Sequence, residues 1–167
     1  MVIILENIEL VAVSFLASFG LGFVFHIQKK DLVWAGVGGA LTRCAVIVMP
    51  EVTDFVFLQS LAAAVVAALF AEIMAMRRRS PSTVFLYPAI IPLIPGGTIY
   101  YVAMYLLMED EVHALAYTSE CVQALCGICI GFVAVSTFTY YKRLYYMGEH
   151  IEGKLKGWLK KLLTGKG

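Results

Sequence analysis

Pro88-Ala89-Ile90-Ile91-Pro92-Leu93-Ile94-Pro95-Gly96-Gly97-Thr98-Ile99-Tyr100-Tyr101 is the stretch on which the reading of this chain turns. It lies inside an apolar run, residues 84–107, long enough to cross a bilayer. Yet it carries three prolines and a Gly-Gly pair within ten residues. Each interior proline removes a backbone donor and clashes with the carbonyl four residues back, at roughly 3 kcal/mol. Hydrocarbon tolerates a freed backbone group only where protein or a wet cavity satisfies it. A span broken this heavily is expected to be part of a binding site rather than a passive anchor.

The runs on either side place the break in a membrane bundle. Of the 167 residues, 60% are hydrophobic and 15% charged, with a mean hydropathy of +0.82. Soluble domains are nearer half apolar and a quarter charged. The expected fold is all-α, a polytopic bundle of five spans at about 8–28, 32–50, 55–76, 84–107 and 119–141. The fourth is broken by Pro and Gly. Residues 1–141 then form one transmembrane domain and 142–167 a cytoplasmic basic tail. In that tail Leu144, Met147, Ile151, Leu155, Trp158, Leu159 and Leu162 recur at helical spacing among lysines. This is the pattern of an amphipathic helix on an anionic lipid surface, frayed by Gly148, Gly153 and Gly157. Residues 1–10 lack the basic stretch of a signal peptide, so the first run is expected to remain in the mature protein.

Charge alternates from loop to loop. Lys29-Lys30, Arg77-Arg78-Arg79 and Lys142-Arg143 follow the odd spans, and Glu51, Asp54 and Glu109-Asp110-Glu111 follow the even ones. Basic loops stay cytoplasmic. The N-terminus is therefore expected outside and the C-terminus inside, with all of the 13 Lys and Arg except Arg43 on the cytoplasmic side.

Arg43 lies twelve residues after Asp31, and Pro95 twelve after Thr83. At 1.5 Å per residue both would sit about 18 Å from the same face, near the middle of a core about 30 Å thick. A half-helix starting after Gly97, with Thr98 as its cap, would turn unpaired N–H groups and a positive dipole end into the same space. Arg and a helix start together suit a carboxylate. The substrate-binding candidates are accordingly Arg43, Pro92, Pro95, Gly96, Gly97, Thr98, Tyr100 and Tyr101. The competing reading has Arg43 merely bonding loose carbonyls of the break. Glu72 and His26 are proton-relay candidates, against a Glu72 that snorkels to the arginine cluster and a His26 that simply sits at the interface.

Other chemistry is thinly represented. No Ser-His-Asp set, HExxH, paired helical histidines or glycine-rich phosphate loop occurs, so no enzyme, cofactor, metal site or nucleic-acid partner is expected. Cys44, Cys121, Cys126 and Cys129 all lie in apolar runs and read as small hydrophobes. The small residues Ala62–64, Ala67, Ala68, Ala71 and Ala75, with Gly127-x-x-x-Gly131, offer close-packing faces that could receive another chain.

The segment Arg79-Ser80-Pro81 through Phe85, Pro88, Pro92 and Pro95-Gly96 to Tyr100, with Gly22-Phe23-Val24-Phe25 and Gly39-x-x-x-Arg43, resembles the C-terminal membrane module of the threonine/serine exporter family. The resemblance covers about residues 8–141. It is similar to the short, stand-alone form of split bacterial exporters, one of them associated with succinate export. It implies a subunit exporting small carboxylates, threonine, serine or a dicarboxylate such as succinate, through a bacterial plasma membrane. It implies as partner a second five-helix subunit with a cytoplasmic N-terminal region, or else a homo-oligomer. Arg43 and residues 92–97 are carried over as motif matches only. A non-transporting scaffold subunit is the alternative, and a small-anion channel a third.

The charge alternation predicts that a reporter fused after Gly167 works in the cytoplasm and fails outside it. Activity of an exclusively external reporter at that position would reverse the topology.

Overall fold

The computed structural model describes the backbone of residues 7–164 and the side chains of 7–142 and Tyr145. Every element in it is helical. Six α-helices follow one another: α1 (Ile8–Val24), α2 (Lys29–Val48), α3 (Val56–Arg78), α4 (Thr83–Ile90), α5 (Gly96–Leu107) and α6 (Glu111–Thr164). Single 3-10 turns, Met49–Glu51 and Ile91–Leu93, follow α2 and α4. The chain divides into two compact units, Met1–Val135 and Ser136–Gly167.

Three helical stretches are long and apolar enough to cross a membrane: Lys29–Glu51, Val56–Arg78 and Glu111–Lys142. The pair Thr83–Leu93 and Gly96–Leu107, bent by 46°, makes a fourth if it counts as one broken span. The fifth span expected from the sequence, α1, is apolar but closes at 17 residues, one short of that length measure, so the count of five is not confirmed. His26, at φ 53°, turns the chain there, and the N–H of Ile27 returns to the Gly22 carbonyl at 3.0 Å.

Two connections also lie elsewhere than the sequence indicated: the first is residues 25–28, and the fourth is shorter. Lys29, Lys30 and Asp31 are not loop residues but the first turn of α2. Residues 111–118 belong to α6, leaving 108–110 as the connector. Asp110 starts α6 as its cap: its carboxylate accepts the His113 N–H at 3.3 Å and meets the His113 Nδ1 at 2.7 Å. Those bonds, the backbone one foremost, hold the Asp110 carboxyl below its usual range. The backbone of the tail is helical as far as Thr164, through all three glycines. The apolar stripe expected along 144–162 lies outside the described side chains.

α2 is the central helix, touching α1, α3 and α4. Its glycines are what let three neighbours approach at once. A Cβ on Gly36 would lie 2.8 Å from the Phe15 ring of α1, and one on Gly38 2.8 Å from the Phe70 ring of α3. One on Gly39 would strike the Ser18 side chain of α1. Lipid offers no hydrophobic drive between helices, so close backbone packing supplies the attraction. The alanine stripe of α3 serves the same end, with Ala63, Ala64 and Ala67 buried against Ala89, Leu93 and Ile128. Further along, Ala71, Met74 and Ala75 close over Phe85. The small faces that might have met another chain are thus used inside this one. Gly127 and Gly131 of α6 also lie against the α3 backbone, at Phe57 and Leu61.

Two polar contacts tie the apolar helices together. The Ser18 hydroxyl donates to the Pro88 carbonyl at 2.8 Å, both residues buried. That carbonyl would bond the N–H four residues on, which is Pro92 and has none. Ser18 supplies the missing donor. At the basic end of the bundle Asp31, 1% exposed, receives Arg78 Nε at 2.7 Å. A second Arg78 nitrogen donates to the Lys30 carbonyl.

Ser18→Ala leaves the Pro88 carbonyl buried without a donor and is expected to destabilise the protein by about 1–3 kcal/mol. Gly39→Ala should also destabilise it through the clash with Ser18, whereas Gly20→Ala, with open space around it, should not. Thermal unfolding of the detergent-solubilised protein distinguishes the three.

Candidate functional site

The cavity at the break is built from four elements. Residues 92–98 form one wall, Arg43 and Val46 of α2 another, Val56, Gln59 and Ser60 of α3 a third, and Glu120 and Ala124 of α6 the last. Its volume is about 340 Å³, at the lower end of the range for small-molecule sites.

The prolines shape the first wall. Pro92 opens the 3-10 turn Ile91–Leu93, and Ile94 turns to an extended conformation, ending α4. Pro95 precedes the first residue of α5, where its missing N–H matters least. The Gly96 N–H is engaged by the Ile94 carbonyl at 2.7 Å, and the Pro95 carbonyl takes the Ile99 N–H at 3.0 Å. The N–H groups of Gly97 and Thr98 stand in the first turn with no backbone acceptor among the described residues. They are aligned with the positive end of the α5 dipole.

Arg43 supplies the full charge. Its Nε is buried and has no hydrogen-bond partner, and Arg43 takes part in no ion pair or hydrogen bond among the described residues. It therefore does not hold the carbonyls of the broken helix together. It lies two-thirds of the way along α2, about 21 Å from Lys29 in a helix about 30 Å long. Counting from Asp31 puts it nearer the middle, but Lys29–Asp31 are helical and lengthen the span below it. What stands is that Arg43 and the break share one cavity, toward the bundle end that carries Met49–Glu51.

The other predicted residues fall differently. Pro92, Pro95, Gly96, Gly97 and Thr98 all line the cavity. Thr98 does not cap α5; the cap position is Pro95, and Thr98 is the third helical residue. Tyr100 and Tyr101 do not line the cavity and are exposed. They are the start of an aromatic column, in which Tyr101 stacks on Tyr117, Tyr117 on Tyr105 and Tyr105 on His113. His26 is exposed in the α1–α2 turn, its Nδ1 3.1 Å from the Val24 carbonyl, and is not in the cavity. Glu72 is half-buried on α3, outside the cavity and without an ion pair; the arginine that does pair, Arg78, takes Asp31 instead.

Glu120, Gln59 and Ser60 were not singled out by the sequence. Gln59 Nε2 donates to the Thr53 carbonyl at 2.7 Å, fixing its side chain at the α3 start. Glu120 carried a weak signal: it is an acidic residue nine positions into a long apolar helix. Among the described residues no group of His, Cys, Asp and Glu could hold a metal ion.

A family model described as "Threonine/Serine exporter, ThrE" matches residues 10–138. The chain belongs to the threonine/serine exporter family, and its role is one of exporter-type membrane transport. No curated protein and no solved structure matches it.

A Cβ on Gly97 would meet nothing within 4 Å. Gly97→Ala is therefore expected to leave the fold intact or stabilise it by about 0.4–1 kcal/mol, while narrowing access to the Gly97 and Thr98 N–H groups. Unchanged or raised thermal stability with transport reduced several-fold is the expected pair of results.

Proposed function

We propose that this member of the threonine/serine exporter family is one subunit of a secondary exporter. It moves small carboxylate metabolites, threonine and serine or a dicarboxylate such as succinate, out of a bacterial cell. The observation that carries this reading is the buried, unpartnered Nε of Arg43 in a cavity that also receives the free N–H groups of Gly97 and Thr98. An unsatisfied buried donor on a cation is costly, and a bound carboxylate removes the cost by accepting from it. Arg presents a planar two-donor fork, and the α5 start lines the same cavity with backbone donors of its own.

In this reading α1 is the first of five spans. Its 17 residues sit at the short limit for crossing a bilayer. The N-terminus lies outside and the tail in the cytoplasm, which puts the cavity in the outer part of the bundle. A second chain completes the transporter: the companion five-helix subunit or another copy of this one. Its need is supported by α5, no residue of which is buried. A scaffold subunit has no use for a cavity-lining arginine whose buried Nε is left unpaired, so the exporter reading is preferred.

The test is Arg43 itself, in inverted vesicles holding the complete transporter. Arg43→Gln is expected to reach normal membrane yield and to lose transport of labelled threonine and succinate at least tenfold. Arg43→Lys keeps the charge without the fork and should fall between. Normal yield with normal transport in Arg43→Gln would remove the charge from the site, and with it this reading.

A further inference from the structure

Glu120 faces the same cavity as Arg43. The two opposite charges share about 340 Å³ and yet form no ion pair with each other. Glu120 is exposed and Arg43 half-buried, and opposite charges within one cavity attract. Held apart, they leave a gap with a cation on one wall and an anion on another. The helix start at Gly96–Thr98 adds its N–H donors at a third wall.

We propose that Glu120 is the ammonium-binding residue of this site and that the cavity is built for a zwitterion. The inference rests on the carboxylate reading of Arg43 given above. The α-carboxylate of an amino acid lies against Arg43 and the Gly97 and Thr98 N–H groups, and its ammonium donates to the Glu120 carboxylate. A zwitterion then satisfies both walls, and each of its charges meets an opposite one. A dicarboxylate satisfies Arg43 but places its second carboxylate against Glu120, where like charges repel. Glu120 is thus a specificity-determining residue that favours amino acids over dicarboxylates of similar size.

Ligand binding and transport are measured separately on the complete transporter. Binding is read as thermal protection of the purified protein by threonine, by succinate and by 2,3-dihydroxybutyrate, the threonine analogue with hydroxyl in place of ammonium. Transport is read with the same labelled compounds in vesicles. For the wild type, protection by threonine at concentrations at least tenfold below those needed for succinate or the analogue is expected. Glu120→Gln should raise the threonine requirement at least tenfold, leave the analogue within about threefold of its wild-type value, and keep normal yield. Glu120→Asp should recover part of the threonine preference. The inference is overturned if Glu120→Gln leaves the threonine requirement unchanged, if threonine and its analogue lose binding equally, or if the wild type shows no preference for the ammonium compound. Transport failing in a wild type that binds threonine with this preference would count against the exporter reading and leave the assignment of Glu120 standing. Succinate or analogue export unaffected by Glu120→Gln, with threonine binding also unaffected, would do the reverse.

Discussion

A proline inside a membrane helix strands a carbonyl, and the hydrocarbon around it offers no water to replace the lost donor. Here the stranded group is the Pro88 carbonyl, and its replacement donor comes from Ser18, seventy residues away on the first helix. That bond forms only because α1 can press against α2 at Gly39, where any Cβ would occupy the place of the Ser18 side chain. The glycine, the serine and the two prolines are one device. It fixes the first half of the broken span to the bundle, and so fixes where the chain bends and where the cavity wall stands.

The bundle has few other polar ties. The ion pair of Asp31 and Arg78 closes the basic end, with the carboxylate almost wholly buried and the arginine partly open to its surroundings. Removing one partner of such a pair costs about 3–5 kcal/mol, although a well-packed apolar substitute for both is often no worse. Between these two polar contacts the helices meet through glycine and alanine, whose many small dispersion contacts accumulate where backbones come close. The contrast with Arg43 is plain. One arginine is satisfied twice over by protein, and the other lies in a cavity with its Nε buried and unused.

Much of this was legible in the sequence because the signals were local. Proline spacing gave the break, and alanine and glycine spacing gave the tight faces; Arg43 and Pro95 do line one cavity, although the count that matched their depths began from a residue that is helical rather than loop. The errors came where a distant partner decides the outcome. Asp31 looked like a loop charge until Arg78, forty-seven residues on, drew it into a buried helical turn. Ser18 carries no pattern of its own, because its partner is a carbonyl. Thr98 has a capping side chain, but Pro95 had already set the helix start two residues earlier. Tyr100 and Tyr101 share the break's neighbourhood in sequence, yet Tyr101 turns to Tyr117 and neither ring lines the cavity. Glu120 carries little meaning in the sequence, because it depends on the fold bringing it to the cavity that Arg43 also lines.

The two halves of the broken span are anchored very unequally. Phe85, Pro88 and Ala89 on the first half are fully buried, whereas the second half buries nothing and leans on a column of stacked rings. Mechanically this is a lever with one end clamped, and its fulcrum is residues 94–97. Since those residues are also cavity wall, any swing of the free arm changes the shape of the cavity, and anything occupying the cavity changes the work needed to swing the arm. Occupancy and arm position are then conjugate variables of a single equilibrium: whichever arm position holds the occupant more tightly is populated more when the cavity is filled, by the ratio of its affinities in the two positions.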